Sequence, residues 1–184
     1  MTPHERRKNI IDRMELLEAF GSDCRGCSGN CCTFEANSMM VTPVEALELV
    51  SYLRENELFD AELRSRLTET VTKYRLDQGL GNGKRSFIRR TYTCPFFNNK
   101  ELGCPLPREV KPYGCLAFNS HHPEEKAGKH CFSESAILEA REKLDPEEAT
   151  YNEELKTKYS LYWEKTPLPN ALLDFFNFFD QQSR

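Results

Sequence analysis

Cysteine placement constrains this chain more than any other feature. Four cysteines fall in one short stretch, Cys24-Arg25-Gly26-Cys27-Ser28-Gly29-Asn30-Cys31-Cys32, and the other four, Cys94, Cys104, Cys115 and Cys131, form a second tract. Both tracts read as loops, whereas cysteines used as small apolar core residues would be scattered through the helical segments. The pattern predicts a fold that closes over a thiolate-ligated metal centre built from both tracts. Gly26 and Gly29 supply the backbone turns that aim several sulfurs inward.

At 184 residues the chain is expected to form a single domain, 1–184, with a metal-binding core at about 20–131 and a C-terminal helical layer over 133–184. Its 25 basic and 29 acidic residues argue against a nucleic-acid binder. The opening residues Met1-Thr2-Pro3-His4-Glu5-Arg6-Arg7-Lys8 lack the apolar core of a secretion signal, and no apolar run is long enough to span a bilayer. The expected compartment is a bacterial-type cytoplasm, where thiols stay reduced and eight cysteines point to metal rather than disulfides.

The expected class is α+β, mostly helical, with a small strand and loop layer holding the metal between N- and C-terminal helices. Thr2-Pro3-His4-Glu5 opens a first helix carrying Ile10, Ile11, Met14, Leu17 and Phe20, ending at Gly21. Ser38-Met39-Met40-Val41 reads as a short strand or extended connector, and Thr42-Pro43-Val44-Glu45 as a capping box opening a second helix. A third starts near Asp60 and ends near Gly79. Ser86 to Thr93 reads as a strand, and Asn98-Asn99-Lys100 as a hairpin turn drawing Cys94 and Cys104 together.

Four prolines, Pro95, Pro105, Pro107 and Pro112, exclude a helix between Cys94 and Cys115. Ser133 caps a helix to Leu144, and Asp145-Pro146-Glu147-Glu148 a further helix bearing Leu155, Tyr159, Tyr162 and Trp163. Pro167 and Pro169 then break the chain, and Asn170 caps a last amphipathic piece containing Phe175, Phe176, Phe178 and Phe179.

Metal identity rests on spacing and geometry. A structural zinc site is usually made by two C-x2-C knuckles, but only Cys24 and Cys27 form one, and the gaps in the second tract are nine, ten and fifteen residues. Ligands of one zinc ion lie about 3.8 Å apart, while adjacent residues such as Cys31 and Cys32 send their side chains apart. An iron–sulfur cluster, or two separate sites, suits that pair better. Cys94-Pro95 and Cys104-Pro105 also match the cysteine–proline steps of ferredoxin-type loops. The cofactor is therefore read as an iron–sulfur cluster or Zn2+, with iron–sulfur favoured.

The nonapeptide from Cys24 to Cys32, then Met40-Val41-Thr42-Pro43-Val44-Glu45-Ala46, Cys94-Pro95-Phe96-Phe97, Gly103-Cys104 and Lys111-Pro112-Tyr113-Gly114-Cys115-Leu116-Ala117-Phe118, resembles the YkgJ-type cysteine-cluster family, described as a zinc- or iron-chelating domain. The resemblance covers about residues 20 to 120 and implies metal binding by Cys24, Cys27, Cys31, Cys32, Cys94, Cys104 and Cys115. This chain departs from the family in having Lys111 and Leu116 where arginines are usual, and three residues rather than two between Cys27 and Cys31. Cys131 lies outside the matching part and is included as a ligand, with His130 beside it and His121 and His122 nearby as further candidates.

Three functions follow as expectations. The first is a cytosolic metal-binding protein with a redox or accessory role. The second is a non-catalytic scaffold or protein-interaction module with structural zinc. The third is a cluster-dependent modifying enzyme, since the cluster also resembles that of flagellin lysine methylase. No catalytic residue is assigned, and no glycine-rich nucleotide fingerprint is present. The basic run Lys84, Arg85, Arg89 and Arg90 reads as a solvated strand edge, and the Phe175–Phe179 stretch as a helix that closes the protein's own core rather than docking on a partner.

Overall fold

The computed structural model describes residues 3–19, 29–78, 90–98, 103–116, 118–120, 131–133 and 146–182. Over these residues the protein is mostly helical, with two small antiparallel sheets. Helix α1, Pro3–Ala19, carries proline in its first turn, where the missing N–H costs nothing. It buries Ile11 against Leu116, with Ile10 packed alongside. The expected end of this helix at Gly21 and the residue Phe20 lie outside the described residues.

Helix α2, Pro43–Glu55, starts from the expected capping box: the Thr42 side chain accepts from the Glu45 N–H, and the Glu45 carboxylate accepts from the Thr42 N–H at 2.9 Å. It buries Val44, Ala46, Leu49, Val50 and Leu53. Helix α3, Ala61–Tyr74, is capped by Asp60, whose Oδ1 accepts from the Leu63 N–H at 2.8 Å. It stops at Arg75, in the left-handed conformation at φ 52°, earlier than the expected Gly79. Arg90 explains the stop, since its guanidinium donates to the Tyr74 carbonyl at 3.5 Å and also to that of Arg75. Arg90 is thus a helix cap rather than a solvated edge; Lys84, Arg85 and Arg89 lie outside the described residues.

Other boundaries also differ from expectation. Strand β1, Met40–Val41, pairs antiparallel with β4, Thr166–Pro167. Strands β2, Phe118–Ser120, and β3, Cys131–Ser133, form the second pair. Ser133 therefore sits in a strand instead of capping a helix; the segment expected to be that helix lies outside the described residues. The strand expected up to Thr93 does not form over 90–93, where the chain bonds to isolated groups of Asn37, Phe34, Tyr74 and Arg75 instead of to a strand; Phe87 and Ile88 lie outside the described residues. The proline-rich segment is not free of helix. A 3-10 turn forms at Arg108–Val110, and one α-turn, α4, at Tyr113–Leu116, each starting directly after a proline, whose restricted φ suits a helix start.

Helix α5, Pro146–Tyr159, ends before Tyr162 and Trp163, both expected on it; Ser160 turns the chain at φ 56°. Helix α6, Leu168–Gln182, accommodates Pro169 within its first turn. Asn170 is therefore inside the helix, and its Nδ2 donates to the Leu76 carbonyl at 3.1 Å instead of capping. The phenylalanine-rich stretch faces inward. Phe175 and Phe176 are buried, Phe59 stacks on Phe176 with ring centroids 3.6 Å apart, and Tyr159 meets Phe175 edge-on at 5.0 Å. Helices α2, α3 and α6 thus enclose the main core. Among the described residues no helix is long and apolar enough to cross a membrane.

Candidate metal centre

The two cysteine tracts are tied together by hydrogen bonds between residues far apart in the chain. A 3-10 turn at Asn30–Cys32 presents the adjacent cysteines, and the Cys32 N–H closes it onto the Gly29 carbonyl at 2.7 Å. The Cys32 carbonyl accepts from the Cys94 N–H at 2.8 Å. Beyond the turn, Phe34 N–H donates to Thr93 Oγ1 at 3.3 Å. Asn37 and Tyr92 then exchange two bonds of 2.9 Å, from Tyr92 N–H to the Asn37 carbonyl and from Asn37 Nδ2 to the Tyr92 carbonyl.

Gly29 adds a packing constraint. It lies at φ +78°, and a Cβ there would stand 2.2 Å from the Phe97 ring, so the backbone at Gly29 lies against that ring. Cys104 is brought alongside by the Asn98–Gly103 bridge, whose Asn98 N–H donates to the Gly103 carbonyl at 2.9 Å. That bridge is the core of the hairpin expected between Cys94 and Cys104; its tip lies outside the described residues. Cys115 arrives from a fourth direction, on α4.

Cys32, Cys94, Cys104 and Cys115 are consequently neighbours, close enough that a negative charge on any one opposes ionisation of the others. Burial is the larger influence. It pushes the Cys94 thiol up to about 12, with the Cys104 and Cys32 charges adding to it. Burial likewise raises Cys104, and raises Cys115 well above the usual thiol range with Cys94, Cys32 and Cys104 adding. Opposing contributions are built in: the backbone N–H groups of Phe96 and Phe97 favour the Cys94 thiolate, that of Leu106 favours Cys104, and the Lys111 ammonium favours both Cys104 and Cys115. Lacking a cation, the Cys94, Cys104 and Cys115 sulfurs stay protonated at neutral pH. A bound cation reverses that balance, so the donor set fits a thiophilic metal.

Among the described residues no three histidine, cysteine, aspartate or glutamate side chains are grouped tightly enough to hold an ion. The four thiols are neighbours, not a closed ligand shell. Cys31 is half-buried next to Cys32, and no disulfide joins any of the five described thiols. Cys131 has its backbone in β3, opposite Ser120. Its side chain, together with Cys24, Cys27, His121, His122 and His130, lies outside the described residues.

Sequence reasoning missed Asn37, Tyr92 and Arg7. Asn37 is buried and also accepts from the Met39 N–H at 3.1 Å through its side chain, an arrangement its position before an apolar run only hints at. Arg7 shares a helical face with Ile10 and Ile11, which is the signal that would have marked it as buried. No family model, no curated protein and no solved structure matches the chain.

Proposed function

We propose that the chain is a metal-binding protein whose centre is ligated by cysteines of both tracts, with Cys32, Cys94, Cys104 and Cys115 as its described ligands. The observation that carries this reading is the mutual approach of these four thiols from separate segments, with Cys94, Cys104 and Cys115 raised by burial and by the neighbouring sulfurs, Cys32 among them. As neutral thiols they pack like small apolar groups, but as thiolates they can share this buried place only with a cation to balance them. A bound metal supplies that charge. The chain itself supplies backbone N–H donors at Cys94 and Cys104 and the Lys111 charge beside Cys104 and Cys115.

An iron–sulfur centre with a redox or accessory role is the favoured content. Four cysteines hold such clusters, and backbone N–H groups aimed at their sulfurs tune them. The second reading is a structural zinc ion in a non-catalytic scaffold, favoured by the count of four neighbouring thiols, the number a tetrahedral zinc site uses. Anaerobic purification followed by elemental analysis and a visible spectrum separates them. Iron with acid-labile sulfide and broad absorbance near about 400 nm is the expected result for a cluster, and colourless protein with stoichiometric zinc that for the scaffold. Protein that holds neither metal, with its thiols titratable, contradicts both.

A further inference from the structure

We infer that Arg7, Glu48 and Glu45 form a buried clamp that sets the position of the Cys115 sulfur, acting through the segment Lys111–Tyr113. This rests on reading Cys115 as a ligand. Helix α4 is a single turn, and one turn has too few hydrogen bonds to hold itself. Pro112 offers no N–H, so the backbone on either side must be gripped from outside.

Arg7 provides one grip. Its Nε donates to the Lys111 carbonyl at 2.8 Å, its guanidinium lies 4.7 Å from the Tyr113 ring centroid, and its Nη2 stands 2.6 Å from Glu48 Oε2. Glu45 provides the other, since its Oε1 accepts from the Tyr113 N–H at 2.8 Å while its Oε2 serves the Thr42 capping box. Arg7 and Glu45 are both fully buried.

Charges this deep are costly, and apolar residues of similar volume would usually pack at no loss of stability. What they add is direction: the planar guanidinium fork fixes the carbonyl and the ring together, which lysine or leucine cannot do. One turn further along α1, Ile11 seats Leu116, the residue after Cys115. Cys115 is therefore bracketed by contacts at Tyr113 and Leu116 and has little freedom to swing.

The test uses the full chain with Arg7→Gln and Glu45→Gln, each loaded anaerobically with cobalt(II) alone, beside Cys115→Ser and the exposed control Lys8→Ala. Cys115→Ser is expected to lose about a quarter of the sulfur-to-cobalt charge-transfer absorbance, one thiolate in four. The clamp predicts the same loss in Arg7→Gln and Glu45→Gln at unchanged far-ultraviolet circular dichroism, with Lys8→Ala like the parent. Parent-like absorbance in both clamp variants overturns it.

A second readout needs no metal. Iodoacetamide labelling of the metal-free proteins, followed by peptide mass spectrometry, is expected to show Cys115 reacting about tenfold faster in the clamp variants, with Cys94 unchanged. An unchanged Cys115 rate overturns the clamp. Should the parent take up no cobalt, the metal reading falls, and the labelling ratio alone decides for or against the clamp. Glu45→Gln keeps a carbonyl acceptor and is the milder change, so the test stands even where Arg7→Gln does not fold.

Discussion

Gly29 shows how much a single position contributes when two loops must meet. Its positive φ and the Phe97 ring lying where a Cβ would be make it one of the points where the two cysteine tracts touch. Gly29→Ala is predicted to cost about 1–3 kcal/mol, a fall of roughly 2–10 °C in a thermal melt for a chain of this size. A melt superimposable on the parent's contradicts that placement. As a turn-former in a loop Gly29 was legible in the sequence. Its contact with Phe97 was not, because nothing local relates residues so far apart in the chain. Asn37 and Tyr92 teach the same lesson: each looks ordinary in its own segment, and only their reciprocal pairing shows that they bind the tracts together.

At the scale of elements, helices announced by side-chain caps were readable and those bounded by distant contacts were not. Thr42 and Asp60 stand where their helices begin. The end of α3 depends instead on Arg90, and the start of α6 on how the chain re-enters the core beside β1. Pro112 was read as a helix-breaker, yet it immediately precedes the one-turn helix that carries Cys115. Helix α6 is also tied to the preceding loop by Trp163 Nε1 donating to Asp174 Oδ2 at 2.8 Å. Burial raises the Asp174 carboxyl, and the Trp163 bond only partly offsets it. A folded-state pKa above the unfolded one means stability that is full at low pH and lost as pH rises through the folded value. At neutral pH the charge is therefore a net cost. Asp174→Asn keeps an acceptor for Trp163 and is predicted to melt slightly higher than the parent at pH 7, with the gap closing below about pH 4. A lower melting temperature at pH 7 counts against this balance.

Among the described residues, α2, α3 and α6 frame the main apolar core, with the thiol loops packed against its flank and partly inserted in it: Cys94 and Cys104 both pack on that core. Folding and metal loading should therefore be linked. Cys94→Ser is predicted to lower metal content and the melting temperature together, the latter by roughly 5 °C or more. Either quantity falling while the other stays at the parental value breaks the link. The approach of Cys32 to Cys94, Cys104 and Cys115 was legible in the sequence as two cysteine-bearing loops expected to meet; Cys24, Cys27 and the Cys131 side chain lie outside the described residues. Which thiols meet was less so: of the adjacent pair, Cys32 acts on Cys94, Cys104 and Cys115. X-ray absorption at the metal edge of natively loaded protein tests the central claim most directly. The account predicts a first shell made of sulfur, and a shell dominated by nitrogen or oxygen would contradict it.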